Sequence, residues 1–184
     1  LLSSIGPRPI CFASTLDANG NKNLSPFSYF NVFSTQPPIA IFSPAKSGRT
    51  LTQKDTYHNA KETKEVVINV VTHSIVQQMS LSSTAYAKGV DEFAKSGLTP
   101  IESELVKPFR VKESPIQLEC QVRDVVELGD QGGSGNLIIC EILLMHIDES
   151  VLDENQTIDQ TKIDLVGRMG GDYYVRANGD ALFT

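Results

Sequence analysis

Pro9-Ile10-Cys11-Phe12-Ala13-Ser14-Thr15-Leu16, followed by Asp17-Ala18-Asn19-Gly20-Asn21, is the stretch that decides the fold class. The first run reads as a strand, and the cluster of turn formers after it returns the chain as a hairpin. Working outward, Ile39-Ala40-Ile41-Phe42-Ser43 is a short apolar strand behind two prolines, too brief for a helix of average length. Val66-Val67-Ile68-Asn69-Val70-Val71 is a β-branched strand. From Ile116 to Leu128 apolar and polar residues partly alternate, residues 129–135 turn on four glycines, and Leu137 to Ile147 runs back as a long hairpin.

Helical pieces are few. Asp55 or Thr56 is a plausible N-cap for a short helix through about Glu62, with lysines and glutamates at pairing distance. Residues 74–87 read as a second helix, with Ile75, Met79 and Ala85 on one apolar side and several serines weakening it. Residues 89–108, broken by Gly97 and Pro100, read as a long excursion outside the core that could serve as a lid. Residues 148–164 read as an acidic linker. Strands joined by turns, without regular alternation with longer helices, disfavour a doubly wound sheet. They predict a mainly β chain: one closed or nearly closed antiparallel barrel over residues 1–184, with short peripheral helices.

Length and composition agree with a single domain, since 184 residues can bury a core without staples. Cys11, Cys120 and Cys140 are an odd number with no CxxC pair and no disulfide ladder, which fits core packing in a reducing, cytoplasmic setting. No apolar run approaches the roughly 20 residues of a membrane span. Asn155-Gln156-Thr157 matches a glycosylation sequon, but with no secretion signal it reads as a chance match. The net charge of −6 is unevenly spread. Residues 1–60 carry five Lys or Arg against two Asp, and residues 121–184 carry four against twelve acidic groups. So acidic a chain excludes an extensive nucleic-acid surface, while its positive first third suits one small anion.

Several patterns have open readings. Pro44-Ala45-Lys46-Ser47-Gly48-Arg49-Thr50 lacks the first glycine of a phosphate loop and has Arg49 at the lysine position, which argues against an ATPase. Ser47, Arg49, Thr50, Lys54 and the Gly48 amide could still bind a phosphate, or simply form a surface turn. Asn31 and Asn69 could meet a planar ligand or satisfy nearby backbone. His58, His73 and His146 lack paired metal-ligand spacing and read as surface or locally bonded groups. No nucleophile elbow, deaminase motif or distinctive acid–base pair is present.

A wider pattern joins these pieces. Arg8-Pro9 with Ser14-Thr15, the Asp17-to-Gly20 turn, Asn23-Leu24-Ser25-Pro26-Phe27-Ser28-Tyr29-Phe30-Asn31, Lys54-Asp55-Thr56 with Asn59, Val67-Ile68-Asn69, and Val166-Gly167-Arg168 with Gly170-Gly171 span nearly the whole chain. Together they resemble the flavin-reductase-like FMN-binding split-barrel family, which includes flavoredoxin-like proteins. The resemblance implies a Greek-key split β-barrel, a homodimer and one noncovalent FMN per subunit near the subunit interface. It implies that Ser14 and Thr15 border the flavin and that Ser28, Tyr29, Phe30 and Asn31 line it. Arg49, Thr50 and Lys54 become the phosphate ligands, with Ser47 beside them.

The implied activity is hydride transfer from NADH or NADPH to flavin N5, with electrons passed to free flavin, another small molecule or an electron-acceptor protein. No side chain need serve as a proton base. Tyr29, Phe30 or residues 89–108 would shape access to the ring. The same motifs would suit a noncatalytic FMN-binding electron-transfer module or an FMN-linked oxygenase or oxidase. A structural protein without flavin is the bland alternative. Arg168, Gly170 and Gly171 read as a tight turn braced by Arg168 against the acidic C-terminal third. The chain begins at Leu1 without methionine, and both ends read as truncated.

Overall fold

The structure is a computed structural model and describes residues 1–87 and 89–183. The first hairpin forms where expected, from β1 (Cys11–Leu16) and β2 (Lys22–Phe27). Its turn is set locally: the Asp17 carboxylate accepts the amides of Asn19 and Asn21 at 2.9 and 2.8 Å, and Gly20 takes φ +83. Next come β3 (Phe30–Thr35), β4 (Pro38–Phe42), α1 (Asp55–Thr63), β5 (Glu65–Val70), α2 (Val76–Ser82) and α3 (Glu92–Ser96). Two short strands, β6 (Pro100–Ile101) and β7 (Arg110–Val111), precede the long hairpin of β8 (Ile116–Glu127) and β9 (Asn136–Ile147). The described chain closes with α4 (Gln160–Ile163), β10 (Leu165–Arg168) and β11 (Tyr174–Ala177).

Seven strands make one antiparallel sheet in the order β2-β1-β5-β8-β9-β4-β3. Its two end strands, β2 and β3, are consecutive in sequence and joined by Ser28 and Tyr29 alone. Laid flat, six interstrand spacings would put them about 29 Å apart. The three Cα steps from Phe27 to Phe30 reach no further than about 11 Å. The sheet must therefore curl until its ends meet, giving a split β-barrel with its seam at residues 28–29. The rings of Phe27 on β2 and Phe42 on β4 confirm the curl, with centroids 5.6 Å apart despite four intervening strands.

Period-two alternation fills this barrel. Cys11 and Ala13, Ala40 and Phe42, Val66 and Ile68, Cys120 and Val122, and Ile138 and Cys140 point inward and form one buried cluster. Ala60 on α1 joins them. A second cluster covers part of the outer face, where Phe12 and Leu24 pack with Ile75, Met79, Phe93 and Leu98. All three cysteines are buried and unpaired, as their spacing predicts.

The predicted helix over residues 74–87 is shorter than expected. A 3-10 turn at His73–Ile75 leads into α2, which ends at Ser82. The hydroxyls of Ser82 and Ser83 donate back to the carbonyls of Met79 and Ser80 at 2.7 and 2.6 Å, competing with the helical ladder. Residues 89–108 are also not a detached excursion. Asp91 caps α3 by accepting the amide of Phe93, and Phe93, Leu98 and Val106 are buried. Residues 148–164 are no simple linker either, because Asp148, Asp153 and Asp159 accept nearby amides in turns and caps while Val151 and Ile163 enter the core. Strands β3, β10 and β11 were not legible as strands.

One carboxylate fastens the 104–106 segment to the barrel. Glu119 is fully buried and accepts the amides of Glu104, Leu105 and Val106 at 2.8, 2.6 and 3.2 Å, with His146 Nε2 at 2.6 Å from its Oε1. Burial alone pushes this carboxyl upward, but the amides of Glu104 and Leu105, then His146 and Val106, outweigh it and hold it below the ordinary glutamate range. A lowered native value means the stabilisation is complete above the ordinary glutamate value of ~4.3 and is lost as pH falls through the native value. Glu119→Gln should cost about 1.5–3 kcal/mol in urea unfolding at pH 7. The gap between variant and native chain should shrink as the buffer is taken below pH 4; a constant gap would contradict the assignment.

Candidate functional site

Residues 44–53 leave the end of β4 as a loop pinned at both ends by one side chain. The buried Asn136 donates from Nδ2 to the Pro44 carbonyl at 2.8 Å and to Gln53 Oε1 at 2.7 Å, and Gln53 Nε2 donates back to Asn136 Oδ1 at 3.1 Å. The β8–β9 turn supports the loop through Lys46 N to Ser134 O at 2.9 Å and Gly133 N to Lys46 O at 3.0 Å. A Cβ at Gly132 would stand only 3.0 Å from Gly48 Cα, so the two backbones approach closely there.

Within the loop, Ser47 Oγ accepts the amides of Arg49 and Thr50 at 3.3 and 3.2 Å, and Leu51 N donates to Ser47 O at 3.0 Å. Ser47 thus shapes the turn. The Thr50 hydroxyl pairs with that of Thr52 at 2.7 Å. Arg49 and Lys54 are exposed, and among the described residues neither side chain has a hydrogen bond or ion pair. Lys54 immediately precedes α1, whose N-terminus has no side-chain cap. Two uncompensated cations, a hydroxyl and the open end of a nine-residue helix therefore share one short stretch, a donor set suited to an anion.

The seam adjoins this loop. Ser43 N donates to the Tyr29 carbonyl at 2.9 Å, and Phe30 sits opposite Phe42 in the β3–β4 ladder. The structure thereby brings Ser28, Tyr29, Phe30 and Asn31 to the root of the loop bearing Ser47, Arg49, Thr50 and Lys54. Phe30 packs against the barrel core, Tyr29 is exposed, and Ser28 Oγ accepts from Arg8 Nε at 3.4 Å. Asn31 Oδ1 accepts the amide of Val32 at 2.8 Å.

Ser14 and Thr15 are consecutive strand residues on opposite faces of the sheet. Both are buried. Thr15 Oγ1 accepts from Asn23 at 3.0 Å and from Asn59 at 3.1 Å, and Asn23 also donates to Thr56 Oγ1 at 2.9 Å. This network ties α1, and with it Lys54, to the first hairpin. Tyr57 adds a second tether, donating to Glu127 Oε1 at 2.5 Å, with Lys61 Nζ 2.9 Å from the same oxygen. The hydrogen bonds from Tyr57 and then Lys61 hold the Glu127 carboxyl below its ordinary range.

Other sequence candidates take structural places. Asn69 is buried and satisfies backbone, donating to Phe12 O at 3.0 Å and accepting from Val111 N at 2.8 Å. Burial raises all three thiols, Cys140 to about 12, so none is a nucleophile at neutral pH. His146 is locally bonded to Glu119, while His58 and His73 are exposed, and no metal-binding cluster occurs among the described residues. Arg168 braces its turn through Gly171 O at 2.5 Å and Asp172 at 3.2 Å. A cavity of about 430 Å³, whose lining carries Asp17, Asp55, Glu62 and Glu92 against Lys22 and His58, contains none of the ten candidates. Sequence reasoning missed Asn136 and Gln53, which fix the loop from 83 residues apart and follow no local pattern.

A family described as flavin reductase like domain matches residues 3–164. The chain belongs to the flavin reductase-like family. A relative of uncharacterised function from Aquifex aeolicus is 37% identical over 180 residues, covering 98% of this chain and 89% of that one. Nitrilotriacetate monooxygenase component B from Bacillus cereus is 28% identical with a TM-score of 0.90, over 97% of this chain and 88% of that one. The Pseudomonas fluorescens 2-nitrobenzoate 2-nitroreductase NbaA is 26% identical with a TM-score of 0.87, over 100% and 87%. The fold is that of split-barrel flavin reductases, and family and likenesses support flavin-linked oxidoreduction with a flavin cofactor. Among the described residues no helix is long and apolar enough to cross a membrane.

If Asn136 holds the loop, Asn136→Ala should cost about 1–3 kcal/mol of stability, since it strands the buried Pro44 carbonyl and leaves the half-buried Gln53 amide without its partner. Amide exchange at Ser47 and Leu51 should quicken more than in β1 or β5. Unchanged exchange in the loop would remove this role.

Proposed function

We propose that this flavin reductase-like chain is an FMN-dependent oxidoreductase that takes hydride from NADH or NADPH. Electrons then pass to free flavin, another small molecule or an electron-acceptor protein. The observation that carries the reading is the pair of unpartnered cations, Arg49 and Lys54, on a loop fixed by Asn136 beside the barrel seam. The donor set fits a phosphate monoester. FMN, when bound, supplies the two-electron redox chemistry.

The chain's residues bind and orient. Arg49 and Lys54 neutralise the phosphate dianion, with the Thr50 hydroxyl as a further donor and Ser47 holding the turn in shape. Ser28, Tyr29, Phe30 and Asn31 border the ring, largely through main-chain groups, because Phe30 is committed to the core. Ser14 borders the site from β1, and Thr15 acts beside it by holding Asn23 and Asn59. Rate enhancement comes from holding donor and acceptor rings at reactive distance, with no side chain moving a proton.

The proposal includes a homodimer, supported by the exposed apolar Tyr29, Val32 and Phe33 beside the seam. It also includes a cytoplasmic setting, supported by three unpaired thiols. The likeness to a component of a monooxygenase fits a reductase that delivers electrons to a separate partner.

Anaerobic mixing of the FMN-loaded protein with NADH, and separately with NADPH, tests the activity. The oxidised flavin absorbance should bleach with at least one donor, much faster than an equal concentration of free FMN. Bound FMN that neither donor bleaches would instead mark an electron-transfer module.

A further inference from the structure

Arg8, just ahead of β1, is pinned by backbone and side chain together. Its amide donates to the Arg168 carbonyl and the Arg168 amide donates back, each at 2.9 Å. The half-buried guanidinium donates from Nη1 to the carbonyls of Leu2 and Ile5 at 2.8 and 2.6 Å, and from Nη2 to the Met169 carbonyl at 3.0 Å. Nε donates to Ser28 Oγ at 3.4 Å. Every one of these acceptors is neutral, and among the described residues Arg8 has no carboxylate partner. A cation without a counter-ion therefore stands fixed beside the seam, held by dipoles alone.

Ser28 takes that donor on its oxygen, and its own proton has no acceptor among the described residues. At 3.4 Å the contact is long, and its effect is to orient the hydroxyl and back it with charge rather than to bind tightly. With a lone pair facing a cation, the hydroxyl is polarised as a donor toward whatever adjoins the seam. The inference rests on the proposed function, in which Ser28 borders the flavin ring. Hydride transfer delivers two electrons and one proton, so a neutral ring becomes an anion. A donor backed by fixed positive charge holds that anion more strongly than it holds the oxidised ring. We propose that Arg8 is a positioning residue that acts through the Ser28 hydroxyl to stabilise the reduced flavin and so raises its reduction potential.

The test is the two-electron potential of FMN bound to the native chain, Arg8→Gln, Ser28→Ala and the double variant, read by anaerobic dithionite reduction against a reference dye. At a fixed dye ratio, Arg8→Gln should shift the bound flavin toward its oxidised form at least about tenfold, which is about 30 mV for a two-electron couple. Ser28→Ala should shift it by a similar factor, and Ser28→Thr, which keeps the hydroxyl, should hold the native value. The double variant should go no more than about twofold beyond either single one, because both remove the same donor. Thermal unfolding separates this from a structural role: Arg8→Gln, which strands three carbonyls, should lower Tm more than Ser28→Ala, although their potentials fall alike. If Arg8→Gln does not fold, Arg8→Lys replaces it; this variant keeps the charge, lacks the Nε donor and should shift in the same direction. A native potential in the Arg8 variant or in Ser28→Ala, or fully additive shifts in the double variant, overturns the proposal. A native chain that binds no FMN overturns both this inference and the proposed function. Bound FMN that neither NADH nor NADPH bleaches counts against the proposed function alone, because dithionite still reads the potentials.

Discussion

The two-residue link between Phe27 and Phe30 is the constraint on which the structure depends. It joins strands at opposite ends of a seven-stranded sheet, so the sheet can form only by curling into a barrel. Closure sends alternate side chains into one interior, which accounts for small and medium residues such as Cys11, Ala13, Ala40, Cys120 and Cys140 at the inward positions. It also places the seam, where the β2 and β3 backbones are not paired with each other in the main sheet, beside the root of the 44–53 loop.

From that placement the candidate site follows. The loop's polar backbone is absorbed by Asn136, Ser47 and the β8–β9 turn, leaving the exposed Arg49 and the adjoining Lys54 without internal partners among the described residues. The acidic C-terminal third finds its counter-groups elsewhere: Asp164 pairs with Arg176, Glu141 with Arg123, and Glu127 with Lys61. The uneven charge along the chain thus becomes an arrangement in space, with the uncompensated positive charge of Arg49 and Lys54 beside the seam. Ion pairing across a protein surface contributes little to stability. Its consequence here is which cations stay free.

Local patterns made much of this legible. Asp17–Asn21 announces the first hairpin through Asx and glycine turn chemistry, and the partial alternation of Ile116–Leu128 announces β8. The phosphate-loop-like stretch and the Asn-Leu-Ser-Pro-Phe-Ser block name the residues that the fold brings together. What stayed hidden was long-range. Glu119 looks like any strand glutamate until the amides of residues 104–106 fold onto it. Phe93 and Leu98 sit in a charged, glycine- and proline-broken stretch whose burial depends on α2 and β7 arriving from elsewhere. The acidic run at 148–164 resembled a linker because its aspartates serve as caps, a role that composition does not separate from solvation.

We propose that Arg49 and Lys54 recognise the phosphate of a flavin mononucleotide. Comparing the affinities of FMN and riboflavin, which differ only by that phosphate, tests it most directly by fluorescence titration of the native chain and the Arg49→Ala/Lys54→Ala variant. The native chain should bind FMN at least about a hundredfold more tightly than riboflavin, and the variant should lose most of this gap while riboflavin affinity holds. Equal affinity for the two flavins in the native chain, or an undiminished gap in the variant, would contradict it.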